Sequence, residues 1–90
     1  MKYFTWGVEK NEQLKKDRNI SFEEIIVQIE EGKLLDILEH PNQLKYKDQK
    51  IFVVELNSYV YLIPYAENEA FIFLKTIIPS RKATKKYLNR

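Results

Sequence analysis

The chain has 90 residues, of which 44% are hydrophobic and 13% aromatic, and its 15 basic and 13 acidic residues give a formal net charge of +2. This length predicts a single domain over residues 1–90, with enough apolar side chains for a core. The absence of cysteine excludes disulfides and thiolate metal sites, and no apolar run approaches the ~20 residues that span a bilayer. Because the first residues do not resemble a signal peptide, we expect a cytoplasmic protein with no membrane partner and no cofactor.

The first part of the chain predicts a short strand and two helices. Residues 2–6 are rich in strand-forming aromatic side chains, whereas residues 9–18 are mostly strong helix formers. Ser21 is followed three residues later by a glutamate, the pattern of a capping box. We therefore expect a second helix over residues 22–31, which Gly32 would terminate.

The second part predicts four strands and a terminal helix. Runs of β-branched and aromatic residues predict strands over residues 34–39, 51–56, 59–65 and 70–78. A turn is expected over residues 40–43, and only Asn57 and Ser58 separate the middle strands, which indicates a hairpin. Pro79 is expected to end the last strand, and Ser80 to cap a helix over residues 81–88. The predicted fold class is α+β, an antiparallel meander sheet with two N-terminal helices on one face and a short C-terminal helix.

The hairpin register separates an aromatic face of the predicted sheet from an aliphatic one. The aromatic face carries Phe52, Val54, Leu56, Tyr59, Tyr61, Ile63 and Tyr65. The aliphatic face carries Ile51, Val53, Val60 and Leu62. An even register at the next turn would add Phe71, Phe73 and Lys75 to the aromatic face. We expect the second helix to cover the aliphatic face, which leaves rings and a cation that suit unpaired RNA bases and phosphates. The alternative is that these tyrosines are ordinary strand residues under a helix.

The last twelve residues, 79–90, carry five positive charges and no acid, so the remainder of the chain has a net charge of −3. This concentration predicts phosphate binding where the last strand becomes a helix. The alternative is a solvated helix whose cations lie near the end that its dipole favours.

The candidate chemistry is cleavage of RNA without a metal ion. Arg81 and Lys82, with Lys75 close in sequence, are the candidate cations for stabilising a phosphorane. His40 is the candidate general base, because imidazole titrates near neutrality, although His-Pro-Asn is also typical of a simple turn. Glu55 is a lesser candidate, and Tyr61 or Tyr87 would qualify only beside cations that favour the phenolate.

Both ends of the chain resemble the BrnT-type ribonuclease toxins. Phe-Thr-Trp at residues 4–6, Glu-Lys-Asn at 9–11 and Ile-Ser-Phe-Glu-Glu at 20–24 resemble the opening of that family. Ile-Ile-Pro-Ser-Arg-Lys-Ala at 77–83, followed by Tyr87, resembles its Ser/Ala-Arg-Lys-Ala close. The resemblance spans the chain, although Asp-Arg-Asn at 17–19 replaces the Lys-His-Gly that is common in the family.

The resemblance implies a RelE-like fold, a metal-independent endoribonuclease activity and a cognate antitoxin partner. It assigns function to Trp6, Lys10, Arg81 and Lys82, and we predict that Tyr61, Lys85 and Tyr87 also bind RNA. The assembly would be a homodimer or a toxin–antitoxin hetero-oligomer. Because the family histidine is replaced, the alternative is a non-catalytic module of the same fold that binds nucleic acid or protein. A third interpretation is a structural protein whose aromatic sheet face is an oligomer interface.

Overall fold

The structure, a computed structural model, describes residues 2–42, 44–45 and 49–89. Gln43 of the predicted turn and Arg90 of the basic tail lie outside the described residues. The elements are β1 (Tyr3–Trp6), α1 (Val8–Arg18), α2 (Phe22–Glu30), β2 (Leu34–Glu39), β3 (Gln49–Leu56), β4 (Tyr59–Glu67), β5 (Phe71–Leu74), β6 (Ile78–Pro79) and α3 (Arg81–Leu88). The predicted α+β class is confirmed. No helix in the described ranges has the length and apolar character that crossing a membrane requires.

The strands form one mixed six-stranded sheet. Its order is β1-β5-β4-β3-β2, and β6 pairs with β4 beyond the end of β5. The pairs from β2 to β5 are antiparallel, as predicted, but β1 is parallel to β5. The prediction of a purely antiparallel meander is therefore wrong. The chain between β1 and β5 is long enough to return to the sheet in the same direction, as a parallel pair requires.

The predicted last strand, residues 70–78, is interrupted. Leu74 pairs with Tyr65, whereas Ile78 pairs with Leu62, so the β5–β6 side contains one extra residue. Such an insertion is a β-bulge, which bends the strand and re-aims its side chains. It allows Ile77 to be fully buried, and it places Pro79 within β6 rather than after the strand.

Local sequence signals explain the ends of α2 and the central hairpin. Ser21 Oγ accepts a hydrogen bond from Glu24 N at 3.2 Å, and the Glu24 carboxylate accepts one from Ser21 N at 3.1 Å. Gly32, at φ +84°, follows the helix in the left-handed region that glycine tolerates. Asn57 and Ser58 both have positive φ, as a two-residue hairpin turn requires. The capping box and the hairpin are therefore confirmed.

The sheet has an inner face, covered by α1 and α2, and an outer face, partly covered by α3. Inner-face residues that pack in the larger core include Phe4, Trp6, Phe52, Val54, Ile63, Tyr65 and Leu74. Outer-face residues include Val53, Val60, Leu62, Phe71 and Phe73. The predicted helix placement is wrong, because Phe22 and Ile25 of α2 pack on the aromatic face. That face offers the larger apolar surface, so burying it stabilises the fold more.

The faces assigned to Phe71 and Phe73 also differ from the prediction. Leu74 pairs with Tyr65, which places Leu74 on the inner face and its neighbour Phe73 on the outer one. The turn sets this register, because Asn68 Oδ1 accepts hydrogen bonds from the backbone N–H groups of Ala70 and Phe71 at 2.9 and 2.8 Å. The outer face therefore gains two phenylalanines, while the tyrosine-rich face becomes the core.

Asn11 joins α1 to the start of α2. Its side-chain oxygen accepts a hydrogen bond from Phe22 N at 2.9 Å, and its Nδ2 donates to the Glu23 carboxylate at 2.7 Å. The bond from Asn11 lowers the pKa of Glu23, because it favours the charged carboxylate. Since Leu14 contributes most of the apolar contact of α1, these polar bonds are important for the position of that helix.

Candidate nucleic-acid interface

Helix α3 is attached to β4 through its N-terminal residues. Ser80 N donates to Val60 O at 3.0 Å, and Ser80 Oγ accepts from Ala83 N at 3.1 Å. Thr84 Oγ1 accepts from Val60 N at 2.9 Å and donates to Ser80 O at 2.8 Å. Ala83 packs with Val53 and Val60 in a second, smaller core. The helix is therefore held in a defined position although it is only eight residues long.

The cations of α3 lie along one solvent-facing arc. Ala83 and Thr84 are buried, whereas the exposed positions of the helix are Arg81, Lys82, Lys85 and Lys86. At 100° per residue, these four positions fall within about 140° of the helix circumference. We call them the cationic arc. Arg81 and Lys85 are four residues apart, as are Lys82 and Lys86, so the like charges of each pair repel in the absence of an anion.

The start of α3 is electrostatically unfavourable. Its first turn contains Arg81 and Lys82 but no acidic residue. Cations at a helix N-terminus oppose the positive end of the dipole, which normally favours acids or phosphate. In the described part of the chain, no ion pair neutralises Arg81, Lys82 or Lys85. The site therefore has positive charge that a bound anion would neutralise.

A groove of about 330 Å³ lies along the sheet edge, between α1 and β6. It is lined by Lys10, Gln13, Leu14, Asp17, Arg18, Thr76 and Ile78, and we call it the edge groove. Arg18 is anchored there, because its Nη1 donates to Ile77 O at 3.2 Å. The groove combines cations from α1 with the bulged segment that leads into α3.

The structure brings several predicted site residues to this edge. Lys10 lines the groove, and Lys75 directly precedes the groove residue Thr76. Arg81 follows Ile78 by three residues, so their Cα atoms are at most roughly 11 Å apart. Lys82 and Lys85 belong to the cationic arc that begins at the same point.

His40 is not part of this group. Its Nδ1 accepts a hydrogen bond from Asn42 N at 3.1 Å, and its backbone N–H donates to Gln49 O. Gln49 lies at one end of β3, whereas Ser80 joins β4 opposite Glu55 near the other end. Gln49 and Glu55 are six residues apart along β3, which corresponds to roughly 20 Å. The structure therefore does not bring His40 beside Arg81, and the bond to Asn42 supports the turn interpretation.

The predicted RNA-binding aromatic residues have structural contacts. The Trp6 ring stacks on Phe22 at a centroid distance of 5.9 Å, and Tyr61 makes an edge contact with Tyr59 at 5.7 Å. Both Trp6 and Tyr61 pack against the larger core. Their rings are half-buried, so neither is an open stacking platform.

Tyr87 connects α3 to β2. Its hydroxyl donates to Asp36 Oδ2 at 2.7 Å. This bond raises the pKa of Tyr87 and lowers that of Asp36. A phenolate at Tyr87 is thus disfavoured, which is opposite to what a catalytic base would need. Glu55, the other lesser candidate, is half-buried on the outer face opposite Val60.

Asp17, Arg18, Gln13 and Thr76 were not predicted as site residues. The only sequence signal for them was the position of Arg18 where the toxin family has a histidine. Asp17 is the carboxylate among the residues that line the edge groove. Across the described residues, no group of three or more His, Cys, Asp or Glu side chains could hold a metal ion.

Comparison of the chain with protein-family models, with curated proteins and with solved structures found no match. Any function assigned to the site therefore depends on its geometry and charge.

Proposed function

We propose that this protein is the RNA-cleaving toxin of a type II toxin–antitoxin system, with a RelE-like fold. The observation that carries the proposal is the cationic arc of α3, which is anchored to the sheet and begins beside the edge groove. Three of its cations have no ion-pair partner within residues 2–42, 44–45 and 49–89. A polyanion such as RNA would relieve the repulsion within the arc and gain affinity from the release of its counterions.

The proposed reaction is metal-independent endonucleolytic cleavage. Attack by the 2′-hydroxyl requires a base, cations that stabilise the phosphorane, and a proton for the departing 5′-oxygen. Arg81 has the planar fork that contacts two phosphate oxygens, and Lys82 adds a second charge. Asp17 replaces His40 as the proposed base, because it lies in the edge groove with Lys10 and Arg18. Asp17 takes the proton of the 2′-hydroxyl, the 2′-oxygen bonds to phosphorus, and the bond from phosphorus to the 5′-oxygen breaks to leave a 2′,3′-cyclic phosphate. The ammonium group of Lys10 donates the proton that the departing 5′-oxygen needs.

The proposal includes a cytoplasmic location and a cognate antitoxin that blocks the site. The exposed cations of α3 would attract an acidic segment of such a partner as well as RNA. The toxin would then act only when the partner is absent.

A second candidate function is RNA binding without cleavage. The position of His40, roughly 20 Å along β3 from the start of α3, favours this candidate, because it removes the usual neutral-pH base from the site. The two candidates share the cationic arc and differ only in whether RNA is broken.

The proposed function is tested by induced expression in a bacterial host, with growth and total RNA integrity followed together. We expect the wild type to arrest growth and degrade RNA, and the double variant Arg81→Ala/Lys82→Ala to do neither. Lys16→Ala, an exposed cation of α1 outside the edge groove, is the control and should behave as wild type. Normal growth and intact RNA with soluble, folded wild-type protein would contradict the toxin function.

A further inference from the structure

Helix α3 leaves part of the outer face uncovered. Phe71 and Phe73 are 47% and 42% exposed there, and Tyr3 on the neighbouring strand is 68% exposed. By contrast, Phe4, Phe22 and Phe52 pack in the larger core. Exposed phenylalanines gathered on one sheet face are unusual in a small protein and mark a binding surface.

The exposed rings form a continuous strip across β1 and β5. Tyr3 pairs with Phe71, and their ring centroids are 6.2 Å apart at an interplanar angle of 44°. Phe73 lies two residues along the same strand, between Thr5 on β1 and Ala66 on β4. Because these neighbours are small, much of the Phe73 ring stays accessible from solvent.

Lysine side chains lie beyond the strip of aromatic rings on the same outer face. Lys75 is the next outer-face position after Phe73, and its N–H donates to Pro64 O at 2.9 Å. Farther along the same face, Lys82 and Lys86 line a pocket of about 190 Å³ between α3 and the sheet. Rings at one end and cations at the other match the two components of a nucleotide.

Glu67, the carboxylate at the end of β4 near Phe71 and Phe73, does not repel a polyanion bound to the outer face. Glu67 pairs with the inner-face residue Ile72, so its side chain belongs to the inner face. Its carboxylate also lies 2.7 Å from Lys2 Nζ and 3.9 Å from Lys50 Nζ. Among the described residues, Lys75 and Lys82 on the outer face form no ion pair, so both cations can contact an anionic ligand.

We infer that the open part of the outer face binds the unpaired bases of single-stranded RNA, with Tyr3, Phe71 and Phe73 stacking on bases and Lys75 and Lys82 contacting phosphates. This inference rests on the proposed function and narrows its substrate class. Duplex RNA does not present its base faces to such a surface, whereas single strands do. Stacking on aromatic side chains tolerates different bases, so the surface would bind with little sequence preference.

The test is fluorescence anisotropy with a labelled 2′-O-methyl RNA oligonucleotide, which lacks the nucleophile for cleavage, as a single strand and as a duplex. We expect Phe71→Ala and Phe73→Ala each to weaken single-strand binding by about tenfold, without changing the salt dependence. Lys82→Ala should weaken binding and also reduce the slope of log K against log salt by about one. Val27→Ala, an exposed apolar truncation on α2, is the matched control and should have no effect.

The outcomes separate the inference from the proposed function. If wild-type protein binds the single strand and both phenylalanine variants bind equally well, the stacking inference is wrong while RNA binding stands. If wild-type protein binds no RNA, the proposed function fails with it. Analytical ultracentrifugation tests whether this face instead joins two copies of the chain. If wild-type protein is a dimer that dissociates in Phe73→Ala while RNA binding is unchanged, the face is a self-association interface. That result would overturn the inference. Each variant should remain folded at the assay temperature, which circular dichroism checks.

Discussion

The two faces of the sheet are covered to different extents. On the inner face, α1 and α2 pack against the sheet, and this packing completely buries Phe22 and Ile25 of α2 and Leu74 of β5. On the outer face, the eight residues of α3 cover Val53 and Val60 but leave a strip of aromatic rings in solvent. The larger core therefore lies on the inner face, while the outer face keeps part of its aromatic surface exposed.

Aromatic side chains occupy two different environments in this chain. Phe52 and Tyr65 stack at 3.9 Å inside the larger core, where burial raises the pKa of Tyr65 to about 12. Phe71 and Phe73 are also aromatic, but in the part of the chain that the structure describes no helix covers them, and both are more than 40% exposed. Substitutions that compare the faces should therefore separate loss of stability from loss of binding.

The largest expected difference in the free energy of unfolding is between the variants Phe22→Ala and Phe73→Ala. Phe22 is 0% exposed, so its truncation should lower the free energy of unfolding by about 3–5 kcal/mol. Phe73 is 42% exposed, so its truncation loses less buried apolar area and should lower that free energy by only about 1–2 kcal/mol. Urea denaturation of both variants measures the contrast. A loss for Phe73→Ala comparable to that for Phe22→Ala would show that a further element covers the outer face.

A smaller loss in the free energy of unfolding is expected from a substitution where α3 joins the sheet. Thr84→Val conserves volume but removes the acceptor for Val60 N, which is buried, so we expect a loss of about 1–3 kcal/mol. The control is Thr5→Val, because the hydroxyl of Thr5 makes no hydrogen bond among the described residues. Hydrogen exchange at Val60 should accelerate in Thr84→Val. Unchanged exchange and stability would mean that the apolar contacts of Ala83 suffice to hold α3.

The smallest effect concerns the bond between Tyr87 and Asp36. Because this bond holds the pKa of Asp36 below its ordinary value, it stabilises the fold above the unfolded-state pKa of about 3.9. That contribution is lost as the pH falls through the lower, folded-state pKa. In Tyr87→Phe, the pKa of Asp36 should rise toward its ordinary value, as measured by NMR titration of the side-chain carboxyl carbon. An unchanged pKa would show that the backbone bond from Ile37 is the main cause.

Local features of the fold could be predicted from the sequence. The capping box at Ser21, the two-residue turn at Asn57 and the helix that begins after Ser80 depend on residues within a few positions of one another. The faces of β5 could not be predicted, because the hydrogen bonds of Asn68 set a register that composition does not specify. Likewise, the parallel pairing of β1 depends on the whole intervening chain.

In the candidate site too, the local features could be predicted from the sequence and the long-range ones could not. The cationic arc was visible in the sequence because its residues are consecutive turns of one helix. The edge groove joins α1 to Thr76 and Ile78, which are some sixty residues away, so no spacing rule identifies it. His40 was a reasonable candidate base by residue type, but the length of β3 separates it from Arg81. Sequence therefore identified the charge but not the groove beside it.

In the proposed function, the C-terminal cations act on RNA while the rest of the chain holds them in position. The most direct measurement is cleavage of a single-stranded RNA by the purified protein in the presence of EDTA, comparing wild type with Arg81→Ala and Lys16→Ala at equal melting temperature. If the proposed function is correct, we expect wild type and Lys16→Ala to cleave the RNA and Arg81→Ala to leave it intact. Equal cleavage by all three, or no cleavage by folded wild-type protein, would contradict it.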